Sequence, residues 1–210
     1  MKVALLGATG FIGSAVLEEA LEAGHEVAAL VRSSGRISSR PRLRVVVGDA
    51  GDPQAVDDVV AGSDAVISAL GTRRGEKAPV DFLAGAMANV LQAMERHGVR
   101  RLVAISGAGI SVEGERKPFP HNLISAMVRL AARDIVEAKQ REYEVLRASS
   151  ADWTAVRPTR VVDGPARDHP KLGTSVKGLG MRVSRRTLAR VLVRQLDDVT
   201  FVRRAPLVSE

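Results

Sequence analysis

The residues with the clearest chemical signature stand near the amino end, where Gly7, Gly10 and Gly13 recur within Gly7-Ala8-Thr9-Gly10-Phe11-Ile12-Gly13. The apolar run Val3–Leu6 precedes them and an amphipathic stretch follows. In that setting Gly7 permits a tight turn, and Gly10 lets the backbone approach a pyrophosphate with no side chain in the way. Gly13 lets the following helix pack close to a sheet. The helix start then offers unpaired N–H groups and a partial positive charge to phosphate. Glycines alone are a weak signal. Glycines between a buried strand and a helix predict a dinucleotide site, with Thr9, Phe11 and Ile12 on the same loop.

Which dinucleotide depends on the end of the second strand. A ribose 2′-hydroxyl is usually held there by a carboxylate, whereas a 2′-phosphate needs a cation. The run Leu30-Val31-Arg32-Ser33-Ser34 carries Arg32 at that place, and no acidic residue lies between Glu26 and Asp49. Arg32 can bind a phosphate bidentately, with Ser33 or Arg36 adding donors. NADP(H) is therefore expected over NAD(H), with a solvent-facing arginine as the plainer alternative. Gly48-Asp49-Ala50 follows the third strand. Asp49 can accept from an adenine amine while Ala50 packs on the ring, or it can serve as a simple cap beside Asp52-Pro53. Leu70-Gly71-Thr72-Arg73 falls on the sheet edge where such folds bind ligands; Gly71 allows close approach, and Thr72 and Arg73 can reach phosphates.

These groups need a framework, and the chain alternates short apolar runs with stretches of helical period, as parallel strands joined by crossover helices do. Strands are expected at 2–6, 26–32, 44–47, 64–70, 101–106 and 153–156. Helices are expected at 12–23, 53–61, 80–97, 126–147 and 184–196. Residues 159–183 read as loop plus one short strand, and 200–208 as a last strand. The result is an α/β fold: one Rossmann-type, doubly wound parallel sheet in a single domain spanning 1–210, with a small C-terminal substrate-side region. Residues 109–125 and 159–183 would wall an acceptor pocket, and His121 in the first of these is a candidate proton donor weighed against a merely solvated histidine.

Composition narrows the chemistry. The 210 residues are 45% hydrophobic and 26% charged, a globular balance, and the absence of cysteine removes thiolate nucleophiles, disulfides and iron–sulfur clusters. The four histidines are scattered, so no metal site is expected. No apolar run suits a membrane span and the first residues carry no cleavable leader, so a cytoplasmic protein is expected. The formal charge of +7 is lopsided: residues 101–210 hold 20 Lys/Arg against 12 Asp/Glu. The basic residues come as scattered doublets, and aromatics make up only 3%, which leaves no row of rings for stacking bases. A solvated surface is expected rather than a nucleic-acid partner; the oligomer is left open between monomer and homodimer.

The glycine loop, Arg32, Gly48-Asp49, Leu70-Gly71-Thr72-Arg73 and Asp152-Trp153-Thr154-Ala155-Val156-Arg157-Pro158 together resemble the atypical short-chain dehydrogenases/reductases. Within them the chain is similar to the NAD(P)H-binding group that includes flavin reductase/biliverdin reductase B and the NmrA-like proteins. The likeness runs from residue 1 to the final strand. It implies cofactor contacts along the glycine loop, at Leu70, at Ser106 and at Pro158. It also implies a Tyr-x-x-x-Lys pair on the long helix, with the lysine holding the nicotinamide ribose. Lys139 matches the lysine, Ile135 stands where the tyrosine belongs, and Ser106 starts the segment that carries the family's serine. Lys139 and Ser106 are thus the expected catalytic residues, while the tyrosine acid is missing. Ketone reduction needs a proton for the developing alkoxide; hydride transfer to a flavin or quinone depends on it less. Tyr143, one turn beyond Lys139, is either a substitute donor or a core tyrosine. The resemblance therefore implies an NADPH-dependent reductase of planar conjugated acceptors, with an NmrA-like redox sensor as the alternative and a cofactor-using isomerase disfavoured by the missing tyrosine.

Overall fold

The run Lys2–Leu6 has no polar side chain beyond its first residue, and as strand β1 it lies at the centre of the sheet with both faces covered. Around it the computed structural model, which describes residues 1–71, 79–113, 115 and 133–210, places a mostly parallel eight-stranded sheet. Its further strands are β2 (Glu26–Val31), β3 (Leu43–Val47), β4 (Ala65–Ser68), β5 (Arg101–Ile105) and β6 (Asp152–Pro158). β7 (Arg160–Val162) and β9 (Arg182–Ser184) form a separate parallel pair, while β8 (Lys171–Gly173) and β10 (Leu207–Ser209) extend the main sheet. The order is β3-β2-β1-β4-β5-β6-β10-β8, parallel throughout except for the antiparallel β10–β8 pair. The order reverses between β1 and β4, and a doubly wound sheet opens its ligand crevice beyond the carboxyl ends of those strands.

Five helices of the described residues cover the two faces: α1 (Gly13–Glu22), α2 (Pro53–Val60), α3 (Phe82–Arg96), α4 (Arg133–Ala148) and α5 (Arg185–Arg194). Side-chain alternation along the strands sorts the core into two layers. Ala4 and Leu6 of β1 join Val56, Val59, Met87, Val90 and Leu146 of α2, α3 and α4 on one face. Val3 and Leu5 join Val16, Leu17, Leu188 and Leu192 of α1 and α5 on the other. Buried on both sides, these strands read as unbroken apolar runs rather than alternating ones.

The structure departs from expectation chiefly near the carboxyl end. Residues 159–183 hold most of three short strands rather than one, because β7 and β9 pair with each other and β8 docks on β10. The expected strand at 200–208 is confined to Leu207–Ser209; the residues before it make turns, with Arg203 at a φ of 56°. Of the expected helix 126–147, residues 126–132 lie outside the described residues. No described helix is long and apolar enough to cross a membrane.

Candidate active site

An open cleft of about 1010 Å³ runs along the carboxyl ends of β1 to β6. Its middle is the glycine loop. Gly7 has a φ of +83° and sits so close to β4 that a Cβ would come within 2.7 Å of the Ala69 carbonyl oxygen. A Cβ on Gly13 would meet the Gly7 oxygen at 2.0 Å, so this glycine lets α1 start directly against the turn and does not itself line the cleft. The loop is closed by a 3.0 Å hydrogen bond from Gly10 N–H to Gly7 O. Thr9, Gly10, Phe11 and Ile12 line the cleft. The Phe11 ring is 52% exposed and lies under the Arg185 guanidinium, 5.1 Å from the ring centroid. Arg185 also pairs with Asp163 at 2.8 Å, which joins the loop to the start of α5 and to the residues after β7.

At one end of the cleft stand Arg32, Asp49 and Ala50. Arg32 is exposed and makes no hydrogen bond or ion pair among the described residues. Asp49 is half-buried and its Oδ1 accepts from Gly51 N–H at 2.8 Å. The cap of α2 is Asp52, whose side chain accepts from Gln54 N–H at 3.0 Å. Asp49 therefore does not cap the helix. Ala50 is buried, its carbonyl held by Asn89 at 3.1 Å.

The other end is formed by Leu70, Gly71, Ile105, Ser106, Ile135, Lys139 and Pro158. Thr72, Arg73 and His121 lie outside the described residues. A Cβ on Gly71 would meet no atom of the described residues within 4 Å. Ser106 is 8% exposed; its N–H bonds Val156 O at 2.8 Å, while its buried Oγ has no partner among the described residues. Such an atom suits a polar ligand group, because leaving it unpaired is costly. Lys139 faces the cleft, yet its Nζ donates to Leu70 O, Ile105 O and Glu142 Oε2, each at 2.7 Å. An ammonium has three hydrogens, and all three are occupied. Tyr143 is absent from the lining: it is buried edge-on against Trp153, ring centroids 5.9 Å apart, and burial pushes its hydroxyl pKa up. It is the core tyrosine of the two readings.

Two neighbours of the site were not foreseen. Glu142 is 3% exposed beneath Lys139, and the i,i+3 spacing of the two on one helix was the signal that could have found it. Burial pushes its carboxyl pKa up, against the pull of the lysine. Arg157, 1% exposed on β6, holds Glu115 through two hydrogen bonds of 2.8 and 2.9 Å and also donates to Ala205 O. With Gln140 bonding Ser111, it ties the described part of the segment after β5 to β6 and α4. Nothing in the local sequence marked Arg157 as buried, since arginine seldom is.

A cleft at the sheet's switch point, a glycine turn with a helix start behind it and an orphaned hydroxyl at the far end form a cradle for a dinucleotide. Residues 7–199 match the NAD(P)H-binding family, and the chain belongs to it. Among individual relatives, 36% identity over 120 residues links it to a 2-alkyl-3-oxoalkanoate reductase of Stenotrophomonas maltophilia, covering 53% of this chain and 34% of that protein. Protein YwnB of Bacillus subtilis is 29% identical over 117 residues, or 56% of this chain and 52% of YwnB. The chain thus spans about half or less of the length of these curated relatives. Solved structures of similar fold include a short-chain dehydrogenase/reductase of Veillonella parvula in complex with NADP (TM-score 0.79, 20% identity, covering all of this chain and 94% of that one). The anaerobillin reductase ChuY of Escherichia coli O157:H7 superposes equally well (TM-score 0.79, 20% identity, covering all of this chain and 97% of ChuY).

Proposed function

We propose that the protein is an NADPH-dependent oxidoreductase that passes hydride to a planar conjugated acceptor, a flavin or quinone in the first instance. The observation that carries this reading is the make-up of the cleft beside Lys139. Ile135 stands where an alcohol dehydrogenase of this kind would need its acid, and the lysine's hydrogens are bound by the protein. Among the described lining residues at that end, Ser106 and Thr159 offer hydroxyls, that of Thr159 already donating to Val208 O at 3.4 Å, and apart from Lys139 the rest are apolar or backbone. A ketone cannot be reduced efficiently without a proton source, whereas a flavin or quinone can carry the negative charge over a conjugated system until solvent protonates it.

In this reading the glycine loop and the start of α1 hold the diphosphate, Arg32 the 2′-phosphate, Asp49 and Ala50 the adenine, and Ser106 a polar group of the nicotinamide half. Leu70, Gly71 and Pro158 complete the contacts, with Thr72 and Arg73 assigned to the phosphates from the sequence alone. When bound, the reduced nicotinamide supplies the hydride. The chain's own part is to orient the ring and leave one face open to an acceptor. The Stenotrophomonas relative and ChuY are both reductases, which supports the class of reaction.

Steady-state NADPH oxidation with FMN, menadione and dichlorophenolindophenol tests the proposal, the expected outcome being turnover of at least one above the rate without protein. The second reading, a cofactor-binding redox sensor, is favoured by the same closed lysine. It prevails if NADP+ binds and none of the three acceptors is reduced.

A further inference from the structure

We propose that Glu142, which lies outside the lining of the cleft, sets how strongly the site discriminates between oxidised and reduced coenzyme, by cancelling the charge of Lys139. The inference rests on the reading that the nicotinamide lies at the Ser106–Lys139 end. The Lys139 side chain is 9% exposed and that of Glu142 4%, with Nζ and Oε2 2.7 Å apart. Glu142 Oε2 takes the lysine, while Oε1 has no hydrogen-bond partner among the described residues.

That arrangement is expensive as a structural device. A glutamine would accept the same hydrogen bond from Lys139 without the desolvation of an ion, and a buried ion pair is weak evidence for stability. What the carboxylate adds is a full negative charge. Among the described residues, the groups that line this end beside the lysine, Ile105, Ser106, Gly107, Ile135, Pro158 and Thr159 among them, are uncharged. Without Glu142 the ammonium would therefore project an uncancelled positive charge into a poorly screened part of the cleft.

The two redox forms of a nicotinamide differ in the ring: the oxidised ring carries a positive charge and the reduced ring is neutral, while the rest of the coenzyme is the same. An uncancelled ammonium repels the first and is indifferent to the second. Glu142 acts through Lys139, as a positioning and charge-balancing residue, and its effect falls on a ratio of affinities. Loss of fold or of general packing would weaken both forms alike.

The test uses the full chain at pH 7.5, with Kd for NADP+ and for NADPH measured by titration calorimetry. Glu142→Gln is expected to raise the ratio Kd(NADP+)/Kd(NADPH) about tenfold. The double variant Lys139→Met/Glu142→Gln, which removes both charges, is expected to return the ratio to within about twofold of wild type. Should Glu142→Gln not fold, Glu142→Leu, which also removes the charge, is expected to move the ratio in the same direction. A ratio unmoved in the single variants, or two constants that rise together, overturns the inference. Wild-type protein that binds neither coenzyme overturns the reading of the site as well. Wild type that binds both, with an unmoved ratio in the variants, overturns this inference alone.

Discussion

Arg32 and Lys139, the two cations among the described residues that line the cleft, have opposite surroundings. Arg32 is exposed and makes no bond among the described residues, so its guanidinium is free to meet a ligand phosphate at no cost in broken contacts. Lys139 is sealed by two strand-end carbonyls and a carboxylate, so a ligand that takes one of its hydrogens must displace a carbonyl that now accepts it. On the proposed reading, selectivity for the 2′-phosphate therefore belongs to Arg32. Arg32→Asp is expected to weaken NADPH at least ~10-fold relative to NADH, since a charge-assisted bidentate contact is replaced by repulsion. Fluorescence titration of the two coenzymes checks it, and equal loss of both would remove Arg32 from the 2′-phosphate. The candidate site was legible where backbone geometry dictates the residue, as at Gly7, where the φ of +83° and the near approach to Ala69 leave room for nothing larger. It was illegible where the decisive fact is a partner distant in sequence: nothing near Lys139 announces the carbonyls of Leu70 and Ile105.

At the scale of elements, helices whose ends are written in local chemistry were the easiest to read. Asp52 before Pro53 and Ser184 before α5 each cap their helix as their residue types require, Ser184 Oγ accepting from Thr187 N–H at 3.1 Å. The short strands near the carboxyl end were harder, because three-residue strands have too few positions to show a period and exist through their pairing. Ser184 does more than cap. Its Oγ donates to Pro165 O at 2.8 Å, its N–H donates to the Glu210 carboxylate at 3.1 Å, and Thr187 accepts from Arg167 N–H at 2.9 Å. Glu210 is subject to a burial effect that raises its pKa, but hydrogen bonds from Thr187 and Ser184 outweigh it and hold the carboxyl below its ordinary value. A depressed carboxyl stabilises the fold above its unfolded pKa, and the contribution is lost as pH falls through the folded one. Ser184→Ala is expected to cost about 1 kcal/mol, lowering Tm by about 2–4 °C in a thermal melt at pH 7. In Glu210→Gln the fall in Tm on acidification below about pH 4.5 should be shallower than in wild type.

The main sheet lies between two apolar layers, and its doubly wound, parallel character followed from the alternation of elements and the right-handedness of crossovers, the order β3-β2-β1-β4-β5-β6 coming from the structure. What pattern alone did not supply is the far side, where β10 lies parallel to β6 and carries β8 antiparallel on its outer edge. A coenzyme in the cleft would touch the ends of strands from β1 to β6 at once, so its binding should stabilise the sheet as a unit. At about 100 times its Kd, NADPH is expected to raise Tm by ~5–10 °C in a scanning calorimeter, and an unchanged Tm would argue against the site.

Chain order along the sheet has a further consequence for synthesis. β3, β2, β1 and β4 are complete by residue 68, and all their mutual pairings fall within that stretch. The wall beyond β6, by contrast, depends on Leu207–Ser209. A polypeptide emerging amino end first can thus assemble its nucleotide-side platform early, while β6 keeps an unpaired edge until the segment near residue 208 arrives. Slow elongation through the intervening residues would prolong the life of that open edge, the form in which stray strand pairing is most to be expected.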